Sequence, residues 1–358
     1  MQAATAAALA APGSCQTSGS WEICFQDLSD TESIIIDKIV GLVNATQGAG
    51  DQIRLNTYNF TGGTAPVLAL ATALKDAKTR GVDVRLVLDD SARSGTVGSG
   101  LISSGIPVKY CAPDVSCIPS DNSAGNGFID HSKFATFKST VNGVTSYTSV
   151  VTSMNFVPNQ HRTYYQNLVI RRGDVDMYNG LNAYWNSLNA GAWGAGIPAN
   201  RVINQTGWNA ILMPQDGDPV AKWLNAITGC SPDHRRIFLM ASTLKIGTRT
   251  AVGAALKRLR NMDCNVRVIA IDNDNPCAGM SSYIEQNRTV RVPAHDKVLV
   301  VDALLNGQPY KTTWTGSANI VYNAIRGSDE MMLRIEDDAV ADMYVARFQT
   351  LFAKGTAC

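Results

Sequence analysis

Two short histidine–lysine motifs are the residues of this chain best suited to chemistry. His131-Ser-Lys133 and His295-Asp-Lys297 share one spacing, and each lies in a different half of the 358-residue sequence. A histidine ring can attack as a nucleophile or exchange a proton near neutral pH, and a lysine supplies a positive charge beside it. The two motifs therefore predict one shared active site for a negatively charged group.

The distance between the motifs recurs elsewhere in the chain. A shift of 164 residues relates His131 to His295, and the same shift relates four more pairs: Lys133 to Lys297, Ser153 to Ser317, Asn155 to Asn319 and Gln166 to Glu330. The segments 81–90 and 263–272 also correspond, since each has the apolar pattern of a buried strand that follows a helical run. Repetition of this kind predicts a fused duplication.

The second copy of the motif resembles the HKD signature of the phospholipase D superfamily. It matches that signature in full, with His295-x-Lys297-x-x-x-x-Asp302 and then Gly316-Ser317-x-Asn319. The first copy is degenerate, because Lys138 stands where the signature has Asp and Thr152 stands where it has Gly. The resemblance extends over nearly the whole chain.

This resemblance implies a phosphodiester substrate and a covalent intermediate. The charge of a phosphodiester repels nucleophiles, so its site needs cations and hydrogen-bond donors around the phosphoryl oxygens. One neutral histidine would attack phosphorus, and the other, protonated, would give its proton to the leaving alkoxide. This scheme requires no metal or other cofactor. The implied catalytic residues are His131, Lys133, Asn155, His295, Lys297 and Asn319.

Five residues are predicted to support these side chains: Ser153, Gln166, Asp302, Ser317 and Glu330. Glu330 is expected to contact His295 and favour its protonated form, which suits a general acid. The neutral Gln166 is expected to contact His131 and leave it as the nucleophile. Such an asymmetry also resembles the tyrosyl-DNA phosphodiesterase branch of the superfamily, so it does not name a phospholipase. Asp302 is expected to have a structural or orienting role.

The other two histidines and the unusual lysine are given simpler interpretations. His161 is expected in a solvated loop and His234 in a surface turn, since polar connecting segments usually lie at the surface. Lys138 is expected to point away from the face of Lys133, because an odd number of positions separates them along a strand.

The composition is that of an ordinary globular enzyme, with 45% hydrophobic and 17% charged residues and a net charge of +1. The near-neutral charge disfavours a dedicated duplex-DNA binder, which usually has a basic face, although a local basic groove remains compatible with it. No stretch approaches the roughly 20 apolar residues of a membrane span. Residues 1–12 lack a basic start and a long apolar core, so we interpret them as a signal remnant or a mature start.

Eight cysteines without CxxC pairs disfavour a metal cluster, and their even number favours disulfides and an extracytoplasmic location. The sequence alone leaves the connectivity open. Cys15 with Cys24 and Cys111 with Cys117 are close enough to close local loops. Cys230 and Cys264 precede successive predicted strands and form a third candidate pair, which leaves Cys277 with Cys358.

Helical and strand patterns alternate along both halves, for example a helix at 66–80 in the first half and a strand at 236–242 in the second, which predicts an α/β fold. We expect two similar α/β/α sandwich halves with mostly parallel central sheets, at residues 1–190 and 216–358, joined by a connection at 191–215. Each His-x-Lys motif is expected on a strand, where residues two apart share a face. The two motifs are expected to meet at the interface of the halves.

The function predicted from these features is that of a secreted, monomeric phospholipase D-like phosphodiesterase. It would hydrolyse a phospholipid at a membrane or micelle surface, with water or an alcohol as the acceptor. A secreted nuclease or other phosphodiesterase is the alternative enzyme. A non-catalytic lipid-binding or phosphate-binding scaffold is the third possibility, although intact His, Lys and Asn residues in both halves count against it.

Overall fold

The computed structural model describes residues 14–119, 127–271 and 276–358. The proposed signal remnant at residues 1–12 and the last residue of the repeated segment 263–272 lie outside these ranges. Within them, each half of the sequence forms a mixed β-sheet flanked by helices. The predicted α/β class and the duplication are therefore confirmed.

The N-terminal unit has an eight-stranded sheet. Its strands are β1 (Cys15–Ser18), β2 (Trp21–Gln26), β3 (Gln52–Thr57), β4 (Asp83–Leu88), β5 (Val108–Tyr110), β6 (Phe134–Val141), β7 (Val144–Thr152) and β8 (Gln166–Arg172). Its helices are α1 (Ile34–Asn44), α2 (Ala65–Thr79), α3 (Thr96–Ser103), α4 (Gln160–Thr163) and α5 (Val175–Ala190). The strand order is β1-β2-β8-β7-β6-β3-β4-β5.

The C-terminal unit has a ten-stranded sheet. Its strands are β9 (Val202–Gln205), β10 (Trp208–Leu212), β11 (Ile227–Gly229), β12 (Arg236–Ala241), β13 (Asn265–Ala270), β14 (Thr289–Arg291), β15 (Val298–Leu305), β16 (Gln308–Gly316), β17 (Met331–Ile335) and β18 (Thr356–Ala357). Its helices are α6 (Pro219–Ala226), α7 (Thr250–Asn261), α8 (Pro276–Met280), α9 (Tyr322–Arg326) and α10 (Asp338–Lys354). The order is β18-β14-β13-β12-β15-β16-β17-β10-β9, and β11 pairs with β15.

Most neighbouring strands are antiparallel, so the prediction of mostly parallel sheets was wrong. Parallel pairing is confined to β3–β4–β5 in the first sheet and β12–β13–β14 in the second. The strands that follow the two motifs instead form hairpins, β6–β7 and β15–β16. Their turns are Asn142-Gly143 and Asn306-Gly307, and all four residues have φ between 50° and 76°. Asn-Gly with positive φ at both positions is the preferred two-residue hairpin turn.

The segment predicted as a connection, 191–215, contains two strands of the second sheet. Gly191, its first residue, ends α5 in the left-handed conformation with φ 73°. However, β9 and β10 pair with each other, and β10 pairs with β17. The second sheet therefore begins at Val202.

Helices α5 and α10 form the layer between the two sheets. Tyr184 and Trp185 of α5 are buried in the same hydrophobic core as Tyr344 and Phe348 of α10, together with residues of both sheets. Separate cores lie beneath α1 and α2 on the far side of the first sheet, and beneath α6 and α7 on the far side of the second. The shared central core packs the two sheets against each other and so holds the starts of β6 and β15, where the motifs lie, on facing sides of the interface.

All eight cysteines form disulfides, in the four pairs considered from the sequence: Cys15–Cys24, Cys111–Cys117, Cys230–Cys264 and Cys277–Cys358. Such a set is typical of proteins that fold in an oxidising compartment. Among the helices of the described ranges, none combines the length and the apolar character needed to cross a bilayer.

Candidate active site

The two motifs meet where the halves face each other. The first motif immediately precedes β6 and the second immediately precedes β15, so both lie in segments that lead into strands, and not within the strands as predicted. The backbone N–H of His131 donates to the carbonyl of Asp329, and that of His295 donates to the carbonyl of Tyr165, each at 2.8 Å. These equivalent hydrogen bonds tie each motif to the opposite half.

His131 is held by Glu330 from the opposite half. Its Nδ1 lies 2.8 Å from Oε1 of Glu330, and both side chains are buried. The predicted contact between Glu330 and His295 was therefore wrong. The prediction that Gln166 contacts His131 was wrong as well, because Gln166 donates to the carbonyl of Gln160 at 3.3 Å. Both contacts differ from the prediction because the backbone of His131 pairs with that of Asp329 across the interface. This pairing places Glu330, the next residue, against the ring of His131.

The contact with Glu330 fixes which nitrogen of His131 is free. Burial lowers the pKa of His131 to about 4, although the carboxylate opposes that shift. Burial raises the pKa of Glu330, but His131 and Lys133 outweigh it and bring the pKa of Glu330 below its usual value. An ionised carboxylate only accepts hydrogen bonds. At neutral pH, Nδ1 of His131 therefore carries the proton and Nε2 carries the lone pair.

His295 is held by the backbone of the first half. Its Nδ1 donates to the carbonyl of Ser153 at 2.8 Å, and the ammonium of Lys297 lies 3.0 Å from the same nitrogen. Burial is the main reason that the pKa of His295 lies well below its usual value, and the charges of Lys297 and Lys133 add to the shift. Nε2 is therefore the free ring nitrogen of this histidine too.

Each motif lysine folds back onto its own motif. The ammonium of Lys133 donates to the carbonyl of His131, and that of Lys297 donates to the carbonyl of His295, each at 2.6 Å. Burial lowers the pKa of Lys133 to about 8. Burial and the charge of Lys133 bring the pKa of Lys297 well below its usual value. The site thus holds two mutually repelling cations, and an anion between them would relieve that repulsion.

The two asparagines have different surroundings. Oδ1 of Asn319 accepts hydrogen bonds from the hydroxyl of Ser242 at 2.7 Å and the N–H of Thr243 at 3.1 Å, so its amide NH2 is oriented as a donor. The backbone N–H of Asn155 donates to the side chain of Gln160. Oδ1 of Asn155 is buried and has no hydrogen-bond partner in the described ranges. Only the second asparagine is therefore fixed by its neighbours.

The two serines hold the strands that lead to the asparagines. The hydroxyl of Ser153 accepts from the backbone N–H of Asn167 at 3.1 Å, and that of Ser317 accepts from the N–H of Met331 at 3.0 Å. These hydrogen bonds join the ends of β7 and β16 to the strands that bring in Gln166 and Glu330. The two serines therefore hold these strand ends together in the structure.

Asp302 lies within β15, away from the motifs. Its carboxylate is 2.7 Å from Nδ1 of His234 and 2.7 Å from the guanidinium of Arg236. Five strand residues beyond Lys297 correspond to roughly 16 Å. Asp302 therefore ties the turn before β12 to β15, which is a structural role.

The remaining two polar residues discussed from the sequence lie outside the site. His161 is buried in α4, so the expectation of a solvated loop was wrong. Lys138 is a partly exposed residue of β6, five positions after Lys133.

Two tyrosines flank the histidines and were not found from the sequence. The ring of Tyr58 lies 5.2 Å from that of His131, and the ring of Tyr164 lies 5.6 Å from that of His295. Both tyrosines belong to the first half and are not related by the repeat, so the internal arithmetic gives no signal for them. Their loop positions immediately before or after core strands were the only available hint.

Two buried carboxyl groups beneath the site were also missed. Asp130 and Asp329 pair through their backbones across the interface. Burial raises the pKa of Asp130 to about 7, and burial together with Asp130 raises the pKa of Asp329 well above its usual value. Each residue directly precedes a residue of the site, His131 or Glu330, and this adjacency was the signal available in the sequence.

The sequence matches a family model described as "cardiolipin synthase, PLD-like domain" over residues 42–187 and 225–352, which is more than half of the chain. This chain belongs to the PLD-like family. Both matched segments of the PLD-like chain contain one His-x-Lys motif. A comparison with curated proteins gives no match.

Solved structures share the fold of this PLD-like protein. Polyphosphate kinase from Porphyromonas gingivalis has a TM-score of 0.61 and 14% identity, and the match covers 92% of this chain and 50% of the kinase. The chain thus spans about half the length of that enzyme. Phosphatidylserine synthase from Haemophilus influenzae has a TM-score of 0.60 and 10% identity, with 91% and 85% of the two chains covered. At these identities the similarity shows the fold alone.

Proposed function

We propose that this protein is a secreted phosphodiesterase that hydrolyses phospholipids through a phosphohistidine intermediate. The observation that carries the proposal is the meeting of two His-x-Lys motifs, each histidine with Nδ1 bound and Nε2 free. Two buried ammonium groups stand beside these rings. This combination offers a nucleophile, a proton donor and positive charge for one phosphodiester.

We assign the nucleophile to His131, for a different reason from the one drawn from the sequence. When Nε2 attacks phosphorus, the imidazole gains positive charge. The carboxylate of Glu330, 2.8 Å from Nδ1, stabilises that charge and keeps the ring in the tautomer that presents its lone pair. His295 has a neutral carbonyl at the equivalent nitrogen and offers less stabilisation.

We assign the general acid and base to His295. As the bond between phosphorus and the leaving oxygen breaks, His295 gives that oxygen its proton, and His131 holds the phosphoryl group. Water, or an alcohol, then gives its proton to His295 while its oxygen bonds to phosphorus and the bond to His131 breaks. Burial and the charges of Lys297 and Lys133 lower the pKa of His295, and the negative charge of a bound phosphodiester opposes the effect of the two lysines.

The choice of a secreted phospholipase rests on the whole chain. Four disulfides fit an oxidising compartment, and a net charge of +1 gives no general attraction to polyanions. A phosphatidylserine synthase shares the fold, so a lipid substrate and transfer to an alcohol are both compatible with this scaffold.

A nuclease is the second candidate, and the two tyrosines favour it. Tyr58 and Tyr164 place an aromatic ring beside each histidine. Aromatic side chains next to a phosphate site can stack on nucleobases of a single strand. A substrate with bases on both sides of the phosphate would use both rings.

Choline release from phosphatidylcholine vesicles in EDTA tests the proposal, with plasmid nicking measured on the same preparations. Wild type is expected to release choline, and His131→Ala and His295→Ala are expected to lose this activity. His234→Gln is the matched control, because this histidine binds Asp302 outside the site. Nicking without choline release would replace the lipid assignment by a nuclease. Silence in both assays would favour a non-catalytic scaffold.

Trapping of the intermediate tests the roles of the two histidines. A phosphodiester with an activated leaving group needs no general acid for the first step, so His295→Ala is expected to accumulate an adduct on His131. Mass spectrometry of the digested protein identifies the modified residue. An adduct on His295 in the His131→Ala variant would reverse the assignment.

A further inference from the structure

A cleft of about 700 Å³ lies between the start of α1, the start of α2, and α4. Its lining includes Glu32 and Asp37 on one side and His161 and Arg162 on another, with Thr64 at the beginning of α2. None of these residues belongs to the motifs, and the proposed reaction uses none of them. A volume of this size is typical of a small-molecule site.

His161 is the residue that distinguishes this cleft from ordinary surface. It is only 3% exposed, it lines the cleft, and no hydrogen bond to its ring nitrogens occurs within the described ranges. Burial, with the charge of Arg162, lowers the pKa of His161. A buried imidazole normally has a hydrogen-bond partner. Because the described residues supply none to His161, its ring nitrogens are available to a ligand.

The two acidic residues of the cleft, Glu32 and Asp37, make no ion pair in the described ranges. Burial and the negative charge of Glu32 raise the pKa of Asp37, so the two carboxyl groups repel each other. An ammonium group between them would remove this repulsion.

The opposite side of the cleft suits an anion. Arg162 donates to the carbonyl of Thr31 and remains exposed, and it forms no ion pair with Glu32 or Asp37. Helix α2 has no side-chain cap at Thr64, whose hydroxyl oxygen is buried without a partner in the described ranges. Pro66 has no N–H, so the N–H groups of Ala65 and Val67, together with the positive end of the helix dipole, favour a negative group at this helix start. The cleft therefore has acidic and basic side chains that form no ion pair with each other in the described ranges.

We propose that this cleft binds a small zwitterion, with its ammonium group at Glu32 and Asp37 and its phosphate group at His161, Arg162 and the start of α2. The binding site is separate from the motifs and does not depend on the proposed activity. The ligand is either a free phosphorylated amine or the head group of a zwitterionic lipid.

Calorimetric titration of the whole protein with phosphoethanolamine tests the site. Wild type is expected to bind it saturably, and the Glu32→Gln/Asp37→Asn variant is expected to bind about tenfold more weakly, a loss of about 1.4 kcal/mol. His161→Ala is expected to weaken binding similarly. Ethylamine and inorganic phosphate, each of which makes half of the contacts, are expected to bind more weakly than phosphoethanolamine.

Two control variants make the outcome specific. Asp263→Asn removes an exposed acidic charge in the other half and is expected to leave affinity unchanged. His234→Gln is also expected to leave affinity unchanged, because this histidine binds Asp302 outside both the cleft and the motif site. Loss of binding in His234→Gln, or equal affinity in wild type and the Glu32→Gln/Asp37→Asn variant, would overturn the proposal.

Vesicles distinguish the two sources of the ligand. Binding to phosphatidylethanolamine vesicles that weakens in the Glu32→Gln/Asp37→Asn variant assigns the cleft to a lipid head group. Binding of free phosphoethanolamine without such vesicle binding assigns it to the soluble amine. Absence of cleft-dependent binding to either probe would refute the site.

Discussion

Replacement of Glu330 by Gln tests the contact that the structure assigns to the nucleophile. The substitution keeps the shape of the side chain and an oxygen that can accept from Nδ1 of His131, and it removes only the negative charge. We expect a lower catalytic rate, because the carboxylate no longer stabilises the positive charge that develops on His131. Folding is expected to persist, since no atom of the buried contact is lost.

The magnitude follows from the geometry of the contact. The two atoms are 2.8 Å apart, and the side chain of Glu330 is 3% exposed, so water does not screen the charge. A hydrogen bond to a charged group contributes about 1.5–3 kcal/mol and a neutral one about 1 kcal/mol. The difference of about 0.5–2 kcal/mol corresponds to a rate about 2-fold to 30-fold lower.

The assay is the initial rate of choline release from phosphatidylcholine vesicles, measured as a function of pH. The acid limb of kcat/KM is expected near pH 4 in wild type, because protonated His131 cannot attack. Without the carboxylate the pKa of His131 falls further, so in Glu330→Gln the limb moves to lower pH. Glu336→Gln is the matched control, since Glu336 pairs with Arg334 outside the site.

Two results would refute this reasoning. An unchanged rate in Glu330→Gln would show that the charge does not act on the reaction. A lower rate with an unmoved acid limb would show that the carboxylate only supports the fold, which thermal unfolding of the same variant would confirm independently.

Three further predictions concern stability. Asp130→Asn is expected to gain free energy of unfolding relative to wild type, by an amount that grows between pH 4 and 7. The pKa of Asp130 is raised to about 7 in the folded protein, so wild type loses stability as the pH rises through this window. Reduction or removal of Cys277–Cys358, which are 81 residues apart, is expected to cost about 4.5 kcal/mol. Gly316→Ala is expected to destabilise the fold and lower activity, because φ is 148° and the new Cβ would lie 2.2 Å from the carbonyl oxygen of Met331. Chemical denaturation measures the free energy of unfolding in all three cases, and choline release measures the activity of Gly316→Ala.

Matched variants give the contrary outcomes. A pH-independent difference between Asp130→Asn and wild type would contradict a raised pKa. Removal of Cys15–Cys24, only nine residues apart, is expected to cost about 2.6 kcal/mol, and an equal loss for both disulfides would contradict the loop-length argument. Gly247→Ala is expected to be neutral, because its Cβ would have open space, and wild-type behaviour of Gly316→Ala would contradict the close approach.

The sequence predicted the elements of the fold well because its periodic signals are local. The helix expected at 66–80 is observed at Ala65–Thr79, and the strand expected at 236–242 is observed at Arg236–Ala241. Strand direction was predicted less well, because it depends on partners distant in sequence. The Asn-Gly pairs at 142–143 and 306–307 are a local signal for antiparallel hairpins, and the prediction of mostly parallel sheets did not take them into account.

The contacts within the active site were also predicted less well, because they too depend on residues distant in sequence. A constant shift of 164 residues aligned the two motifs, and the structure brings both together. The shift relates equivalent positions, however, and does not say which residues touch. Glu330 is equivalent to Gln166 but contacts the histidine of the other half. Such crossed contacts arise from backbone pairing at the interface, where His131 meets Asp329, and no pattern within one half encodes them.

The two departures of the first motif from the family signature, Lys138 and Thr152, have structural explanations. Asp302 of the intact motif binds His234 and Arg236 and pairs in register with Arg236, whereas Lys138 pairs in register with Gln52. The Asp therefore has a cationic partner on the neighbouring strand, and the corresponding position of the first half holds a neutral glutamine.

The second departure has a similar explanation. Gly316 has φ 148° beside the carbonyl of Met331, a position that excludes a side chain. Thr152 instead donates its hydroxyl proton to the carbonyl of Asn167 at 2.8 Å and continues β7 as a strand residue. Each change occurs at a residue that shapes a strand and not at one that faces the opposite motif. A degenerate signature in the first half is therefore compatible with an intact pair of histidines, and it does not by itself favour a non-catalytic scaffold.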